Sequence, residues 1–266
     1  MLLTRILTAA ILLAGFAAAL LWLERAWFSA VVAVIVALGA GEWGRLCSLG
    51  RWQCTAYASL CALAFVLVEF GEPALLAPAL WCAAAFWILV VPAWLLKGVR
   101  AGHRAALLAA GALALIPAAL AASALPPRLL LMALGLVWVA DSAAYFAGSA
   151  FGRRKLAPAI SPGKTWEGVA GAALGSVIYA IIWASFDTEF QVRVQGGIWM
   201  PFLAGALLLC ALGVAGDLLE SALKRQAGAK DSGRLLPGHG GVLDRIDSAT
   251  ATLPAALLML RAIGAA

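Results

Sequence analysis

Residues 129–150 of the chain read LLLMALGLVWVADSAAYFAGSA, an apolar run interrupted by a single carboxylate, Asp141. About 20 such residues in a helix cross the hydrocarbon core of a bilayer. Runs of this kind recur along the whole chain, which is 64% hydrophobic and 12% charged, with a mean hydropathy of +0.98. A soluble domain is about half apolar and a quarter charged. The composition therefore excludes a soluble globular enzyme and predicts an all-α, polytopic integral membrane protein.

About nine transmembrane helices are predicted from the apolar runs. They lie near residues 4–23, 26–44, 55–70, 73–96, 104–124, 129–150, 166–186, 199–222 and 248–265. The connectors leave no room for an appended soluble domain, so we expect one structural unit. Within it, residues 1–128 form apolar helices that pack and face lipid, whereas residues 129–266 carry the motifs with chemistry.

The basic residues predict an orientation. Of the 19 Lys and Arg residues, only Arg25, Arg128, Arg193 and Arg261 fall on the side opposite the N-terminus. Cytoplasmic connectors keep the excess of Lys and Arg, so the N-terminus is predicted to be cytoplasmic and, with an odd helix count, the C-terminus outside. The positive connectors of a membrane protein account for the net charge of +6. Nucleic-acid binding is not indicated, because the sequence has no long basic arm. The five cysteines form no CxxC or Cys/His cluster and are predicted to be reduced thiols.

Carboxylates lie where a bilayer would exclude them. An ionised group within a span costs at least about 2.5 to 3.5 kcal/mol, so such residues are functional candidates. Asp141 is one, and Tyr145 and Gly148 share its helix face. Most of the others follow residue 140. The full set in apolar stretches or at the N-terminal side of the membrane is Glu42, Asp141, Glu167, Asp217, Glu220, Asp231, Asp244 and Asp247.

The stretch Ser161-Pro162-Gly163-Lys164-Thr165-Trp166-Glu167-Gly168 is typical of an anion site at a helix start. Free backbone N–H groups, the positive helix end and Lys164 would together hold a phosphate. It is not a Walker loop, which follows a strand and has a different spacing. The alternative is an ordinary capped helix with Lys164 among the lipid headgroups.

The eighth predicted span ends in a polar stripe. At about 100° per residue, Asp217, Glu220, Ser221 and Lys224 share one face, which a lipid-facing helix would not tolerate. The alternative is a helix-end ion pair at the interface. In the connector that follows, glycines surround His239, and Asp244 and Asp247 are spaced i, i+3, an arrangement of hard oxygen ligands that suits Mg²⁺. A lone histidine in a loop is more often structural than catalytic.

Four motifs together resemble the bacterial phosphatidate cytidylyltransferases, also called CDP-diacylglycerol synthases. They are Asp141-x-x-Ala144-Tyr145-x-x-Gly148, Ser161-Pro162-x-Lys164-Thr165-x-Glu167-Gly168, Gly216-Asp217-x-x-Glu220-Ser221, and the long signature from Ser221 through Lys224-Arg225, Lys230-Asp231, Pro237 and His239-Gly240-Gly241 to Asp244-Arg245-x-Asp247. The resemblance covers roughly residues 138–250. Ser142 stands where the family more often has Thr, which keeps a hydroxyl.

The resemblance implies that CTP and phosphatidic acid react to CDP-diacylglycerol and pyrophosphate, as a step of phospholipid biosynthesis at the cytoplasmic face of a bacterial inner membrane. It also implies Mg²⁺, as one ion or a metal pair, with or without a monovalent cation, and a homodimer. Catalytic roles are expected for Asp217, Asp244, Lys224, Arg225 and His239. Metal ligands are expected at Asp217, Asp244, Asp247 and Asp141. Substrate contacts are expected at Lys164, Ser161, Ser221, Lys230, Asp231, Gly240, Gly241, Arg245 and Tyr145.

Two alternatives remain open at this point. One is a related enzyme, either a cytidylyltransferase or a CTP-dependent kinase, that acts on another lipid phosphate or alcohol such as an isoprenoid ether lipid. The other is a secondary transporter in which Asp141 and Asp217 bind ions. Transporters usually show paired interrupted helices in two related halves, and this sequence shows no internal repeat.

Overall fold

A computed structural model describes residues 2–99, 101–187 and 197–265. The expected all-α membrane fold is confirmed. The helices are α1 (Leu2–Trp22), α2 (Arg25–Leu46), α3 (Arg51–Val66), α4 (Leu76–Ala85), α5 (Val91–Lys97), α6 (Arg104–Ala124), α7 (Pro127–Phe151), α8 (Trp166–Phe186), α9 (Trp199–Gln226) and α10 (Leu243–Ala262). Short π-helical turns extend α3 through Leu67–Gly71 and join α4 to α5 through Phe86–Val90.

Seven helical segments in the described ranges are long and apolar enough to cross a membrane, so the predicted number of nine is approximate. Helix α1 contributes the shorter apolar segment Leu13–Trp22, and α10 begins with Asp244, Arg245 and Asp247 in its first turns. The seven spans are Arg25–Leu46, Arg51–Gly71, Pro73–Lys97, Arg104–Ala124, Pro127–Phe151, Trp166–Phe186 and Trp199–Gln226.

A small hairpin stands between α7 and α8. Strand β1 (Lys155–Ala157) pairs antiparallel with β2 (Ser161–Thr165), with Lys155 opposite Thr165. The backbone N–H of Trp166 donates to the Arg154 carbonyl, and the Glu167 carboxylate accepts from the N–H groups of Arg153 and Arg154 at 3.1 and 3.2 Å. The stretch expected as a helix start is therefore a strand up to Thr165, and the helix begins at Trp166.

Helices α7 and α8 pack against each other over an extensive surface, because small residues face each other along it. A Cβ on Gly175 would stand 2.8 Å from the Ala143 Cβ, and one on Gly171 would overlap Ala147. These glycines permit the close packing that their small size favours. These glycines of α8 pack against α7, the helix that carries Asp141.

Contacts between connectors show which of them share a face. Arg104 donates to the Ser48 carbonyl at 3.0 Å, Gln226 to the Leu46 carbonyl at 2.9 Å, and Arg225 to the Ile160 carbonyl at 3.2 Å. All are on the side of the N-terminus, as the charge count predicts, and we call it the motif face. On the opposite face Arg25 pairs with Glu69 at 3.1 Å. Arg193, one of the four basic residues assigned to that side, lies outside the described residues.

Candidate active site

The four motifs meet at the motif face, where α7 and α9 end and α8 and α10 begin. Their side chains sort into three groups. The hairpin cavity lies beside β2. The Lys224 network lies between α9 and α10. The loop cavity is formed by the connector from Lys230 to Arg245.

The hairpin cavity has a volume of about 430 Å³, and Asp141, Tyr145, Ser161, Lys164 and Asp217 are among the residues that line it. The Lys164 Nζ lies 2.7 Å from the Asp217 Oδ2. The exposed Tyr145 ring packs edge-on against its neighbour in the helix. One ammonium and two carboxylates therefore line the same cavity as a set of apolar side chains.

Asp217 is held by its own helix and by the approach of α10. The Ser221 hydroxyl donates to the Asp217 Oδ1 at 3.2 Å, which confirms that both belong to one stripe. Gly216 lets α10 come close, because a Cβ there would stand 2.5 Å from the Asp247 carbonyl oxygen. That approach places the carboxylate of Asp247 where it interacts electrostatically with Asp217, Asp141 and Lys164.

Three carboxylates, those of Asp141, Asp217 and Asp247, therefore interact electrostatically with Lys164, and Asp217 is in direct contact with it. Asp141 also interacts electrostatically with Asp217 and with Arg245. In the described parts of the chain, no three His, Cys, Asp or Glu residues stand close enough to hold a metal ion in the present arrangement. The donor set nevertheless fits a hard divalent cation, because carboxylate oxygens are the ligands that Mg²⁺ prefers and the repulsion among three of them is only partly offset by Lys164 and Arg245.

The Lys224 network lies deeper. The Lys224 Nζ is 2.6 Å from the Glu220 Oε2 and 2.7 Å from the Asp244 Oδ1. The Asp244 Oδ2 accepts from the Ser232 N–H at 2.9 Å, the Ser232 hydroxyl at 2.8 Å and the Gly241 N–H at 2.8 Å. Asp244 therefore orders both ends of the connector, and Lys224 compensates two buried carboxylates.

Asp244 lies outside the seven spans, and its pKa is shifted. Burial raises the pKa of this carboxyl, but the hydrogen bonds from Lys224, Gly241 and Ser232 outweigh burial and lower the pKa to about 2. Hydrogen bonds to the charged form favour ionisation. Asp244 is consequently an anion at neutral pH.

The loop cavity, of about 550 Å³, is basic. Lys230, Arg234 and Arg245 line it together with the carboxylate Asp231 and His239. Gly238 and Gly240 adopt φ of +77° and +83°, which lets the connector turn back on itself at the bridge between Leu236 and Gly240. The His239 Nδ1 has no hydrogen-bond partner within the described residues. The cavity has the composition of an anion site.

Predicted residue Arg225 and the predicted anion site at the start of α8 have contacts of a different kind. Arg225 donates to the Ile160 carbonyl and, at 3.5 Å, to the Ala229 carbonyl, so it ties the hairpin to the connector. At the start of α8 the Thr165 hydroxyl oxygen accepts from the Gly168 N–H at 3.1 Å. One of the amides expected to bind an anion is thus already capped, and Lys164 is the principal cation there.

Sequence reasoning left four residues out of the predicted site: Glu42, Glu220, Ser232 and Arg234. Glu42 and Glu220 carried a usable signal, a charge in an apolar helix. Arg234 lies in the same basic connector as predicted residues. Ser232 gave no signal, because a serine in a polar loop is ordinary.

The profile of the Cytidylyltransferase family matches residues 3–263. The chain belongs to this family. The resemblance drawn from the four motifs is confirmed, and the chain is a CTP-dependent nucleotidyltransferase.

Three relatives of this cytidylyltransferase carry the name phosphatidate cytidylyltransferase. The protein of Pseudomonas aeruginosa is 40% identical over 276 aligned residues, which cover 99% of the chain and 98% of the relative. That of Haemophilus influenzae is 52% identical over 126 residues, 47% of the chain and 43% of the relative. That of Staphylococcus epidermidis is 43% identical over 133 residues, 50% of the chain and 49% of the relative.

Proposed function

We propose that this enzyme transfers the cytidylyl group of CTP to phosphatidic acid, giving CDP-diacylglycerol and pyrophosphate. The observation that carries the proposal is that all four motifs meet at one face around two cavities, of which one contains Lys164 and the other Lys230, Arg234 and Arg245. The name of the full-length relative supports the same substrates. Transport, the alternative of another class, receives no support from the family.

A lipid acceptor is supported by a third, apolar cavity of about 190 Å³. It lies between α1, α2, α6, α7 and α10, and Phe28, Ala119 and Leu253 are among its lining residues. Arg245 lines both this cavity and the loop cavity. A ligand with a phosphate at one end and an acyl chain at the other suits this junction.

The reaction needs charge neutralisation more than proton transfer. A phosphate oxygen of the lipid, already ionised, bonds to the α-phosphorus of CTP. The bond from that phosphorus to the bridging oxygen breaks, and pyrophosphate leaves with the electron pair. Cations placed around the phosphates lower such a barrier. We assign this role to Lys230, Arg234 and Arg245 in the loop cavity and to Lys164 in the hairpin cavity, with His239 orienting a phosphate.

Mg²⁺ is proposed as the cofactor, held by Asp217 with Asp141 and Asp247. When bound, it would neutralise phosphate charge and act as a Lewis acid. These carboxylates can serve because three of them share the two cations Lys164 and Arg245, which leaves a net negative charge for a metal ion to balance. Asp244 stays a predicted further ligand. Its present hydrogen bonds support another role, ordering the connector.

We also propose that the motif face is cytoplasmic, in a bacterial inner membrane, because the excess of positive charge and the supply of CTP are both on that side. A homodimer, implied by the resemblance, completes the proposal. Light scattering of the detergent-solubilised protein should give twice the chain mass of 27.4 kDa after the detergent is subtracted. The chain mass itself would contradict the dimer.

The reaction is tested with CTP labelled at the α-phosphate, phosphatidic acid and Mg²⁺. Label should enter the lipid phase and should fail to do so with EDTA or in the Asp217→Ala variant. CTP labelled at the γ-phosphate separates cytidylyl transfer from a kinase reaction. Label that moves only with isoprenoid phosphates or alcohols would contradict the proposed substrate and support the related enzyme.

A further inference from the structure

We propose that Glu42, a carboxylate of α2, is a positioning residue that holds the connector between α9 and α10 in its active arrangement. Glu42 lies in the N-terminal half of the chain, outside all four motifs. The proposal concerns how the family's reaction is supported, and it rests on the proposed function only for the choice of acceptor in the assay.

One oxygen of Glu42 binds both ends of the connector. The Glu42 side chain is 2% exposed. Its Oε2 accepts from the Ser232 hydroxyl at 3.0 Å and from the Leu243 N–H at 2.8 Å. Ser232 lies near the start of the connector, and Leu243 is the first residue of α10. The Glu42 side chain alone therefore fixes the distance between these two residues.

The same hydroxyl links Glu42 to the Lys224 network. The Ser232 Oγ lies 2.8 Å from the Asp244 Oδ2 as well as 3.0 Å from Glu42, so it bridges the two carboxylates and donates to one at a time. The polar chain therefore runs from α2 through Ser232 and Asp244 to Lys224 on α9.

Two glycines of the connector close around the Glu42 carboxylate. A Cβ on Gly233 would stand 2.9 Å from the Glu42 Cδ, and a Cβ on Gly241 would stand 2.5 Å from its Oε1. Neither glycine has a positive φ, so the backbone conformation does not require them. Their small size leaves room for the Glu42 carboxylate and, at Gly241, also for the Ser232 hydroxyl.

A purely structural ion pair does not account for this arrangement. The Arg45 Nη2 is 3.8 Å from the Glu42 Oε1, and Arg45 is mostly exposed. The Glu42 Oε1 has no hydrogen bond among the described residues. Burying a carboxylate with one oxygen unsatisfied costs stability. We infer that this unfavourable burial is retained because Glu42 orders the connector.

The chain provides a matched control at the other end of α2. Glu69 is also a nearly buried carboxylate, and its Oε1 accepts from Arg25 at 3.1 Å and from the Ser29 hydroxyl at 3.2 Å. It joins α2 to the segment after α3 on the face opposite the motifs. Glu69→Ala removes a comparable helix contact without touching the connector.

The test compares Glu42→Ala, Glu42→Gln and Glu69→Ala in full-length protein in detergent. Glu42→Ala should lower kcat/KM at least about tenfold, the loss expected when charged-group hydrogen bonds are removed. Glu42→Gln should fall between Glu42→Ala and wild type, because an amide oxygen still accepts. Glu69→Ala should lower Tm and leave kcat/KM near wild type.

A second readout does not depend on the acceptor. Trypsin should cleave at Lys230 and Arg234 faster in Glu42→Ala and Glu42→Gln than in Glu69→Ala or wild type, even if wild type were inactive with phosphatidic acid. Unchanged cleavage, equal loss of kcat/KM in Glu42→Ala and Glu69→Ala, or equal loss in Glu42→Gln and Glu42→Ala would overturn the proposal. If Glu42→Ala does not fold, Glu42→Gln carries both readouts.

Discussion

Lys164 and Lys224 both pair with carboxylates of α9, but in different surroundings. Lys164 and Asp217 keep 23% and 33% of their side-chain surface exposed, beside the hairpin cavity. Lys224 keeps 13%, and its partners Glu220 and Asp244 keep 3% and 7%. The first pair can exchange its partner for a ligand, whereas the second is fixed between two helices. We therefore infer that the Lys164 pair is reactive and that the Lys224 pair is structural, although both involve carboxylates of α9.

The largest effect is expected where the buried pair is broken. Lys224→Met leaves Glu220 and Asp244 without their shared cation, and removing one partner of a buried pair costs about 3 to 5 kcal/mol. We expect a strongly lowered Tm in detergent, with loss of activity following the loss of folded protein. A variant that melts like wild type and loses only activity would show that Lys224 belongs to the reactive group.

Asp217→Asn is expected to lose activity about 100- to 1,000-fold, the size of effect seen when a key electrostatic group is removed. Its Tm should change little, because the site is open to water. A Mg²⁺ titration measures the effect, and the concentration for half-maximal activity should rise. If the Mg²⁺ dependence stayed as in wild type, Asp217 would not be a metal ligand.

Lys164→Met is the direct counterpart of Lys224→Met. This pair is half-buried and opens onto the hairpin cavity, so its contribution should lie closer to the about 0 to 1 kcal/mol of an exposed pair than to that of a buried one, and Tm should fall far less than in Lys224→Met. We expect kcat/KM to fall about tenfold or more, since a charge-assisted contact to phosphate is lost. A large fall in Tm with unchanged kcat/KM would reverse the assignment of the two lysines.

The smallest effect concerns the apolar cavity beside Arg245. Ala119→Leu fills part of it, and we expect about a fivefold fall in kcat/KM with long-chain phosphatidic acid and little change with a short-chain form. Ala206→Leu, in a separate apolar cavity of about 240 Å³, is the control and should not depend on chain length. Equal chain-length dependence in both variants would remove the proposed acyl site.

The local sequence pattern was sufficient to predict the membrane spans and the polar stripe of α9. Apolar length and hydrophobic periodicity place the helices within a few residues, and the i, i+4 spacing of Ser221 and Lys224 to Asp217 and Glu220 predicts the observed contacts. The strand at Ser161 was not predictable from its Ser, Pro and Gly residues, which equally favour a helix start. The contact of Glu42 with Ser232 joins residues 190 positions apart, and no single-sequence pattern encodes it.

The most direct measurement of the central claim is amine-reactive labelling of the folded enzyme in detergent, with each lysine followed by mass spectrometry. We expect Lys164 to be labelled in the free enzyme and protected by CTP with Mg²⁺. Lys224 should stay unlabelled in both conditions until the protein unfolds. Equal labelling of the two lysines, or labelling of Lys164 that CTP does not change, would contradict the division between a reactive and a structural pair.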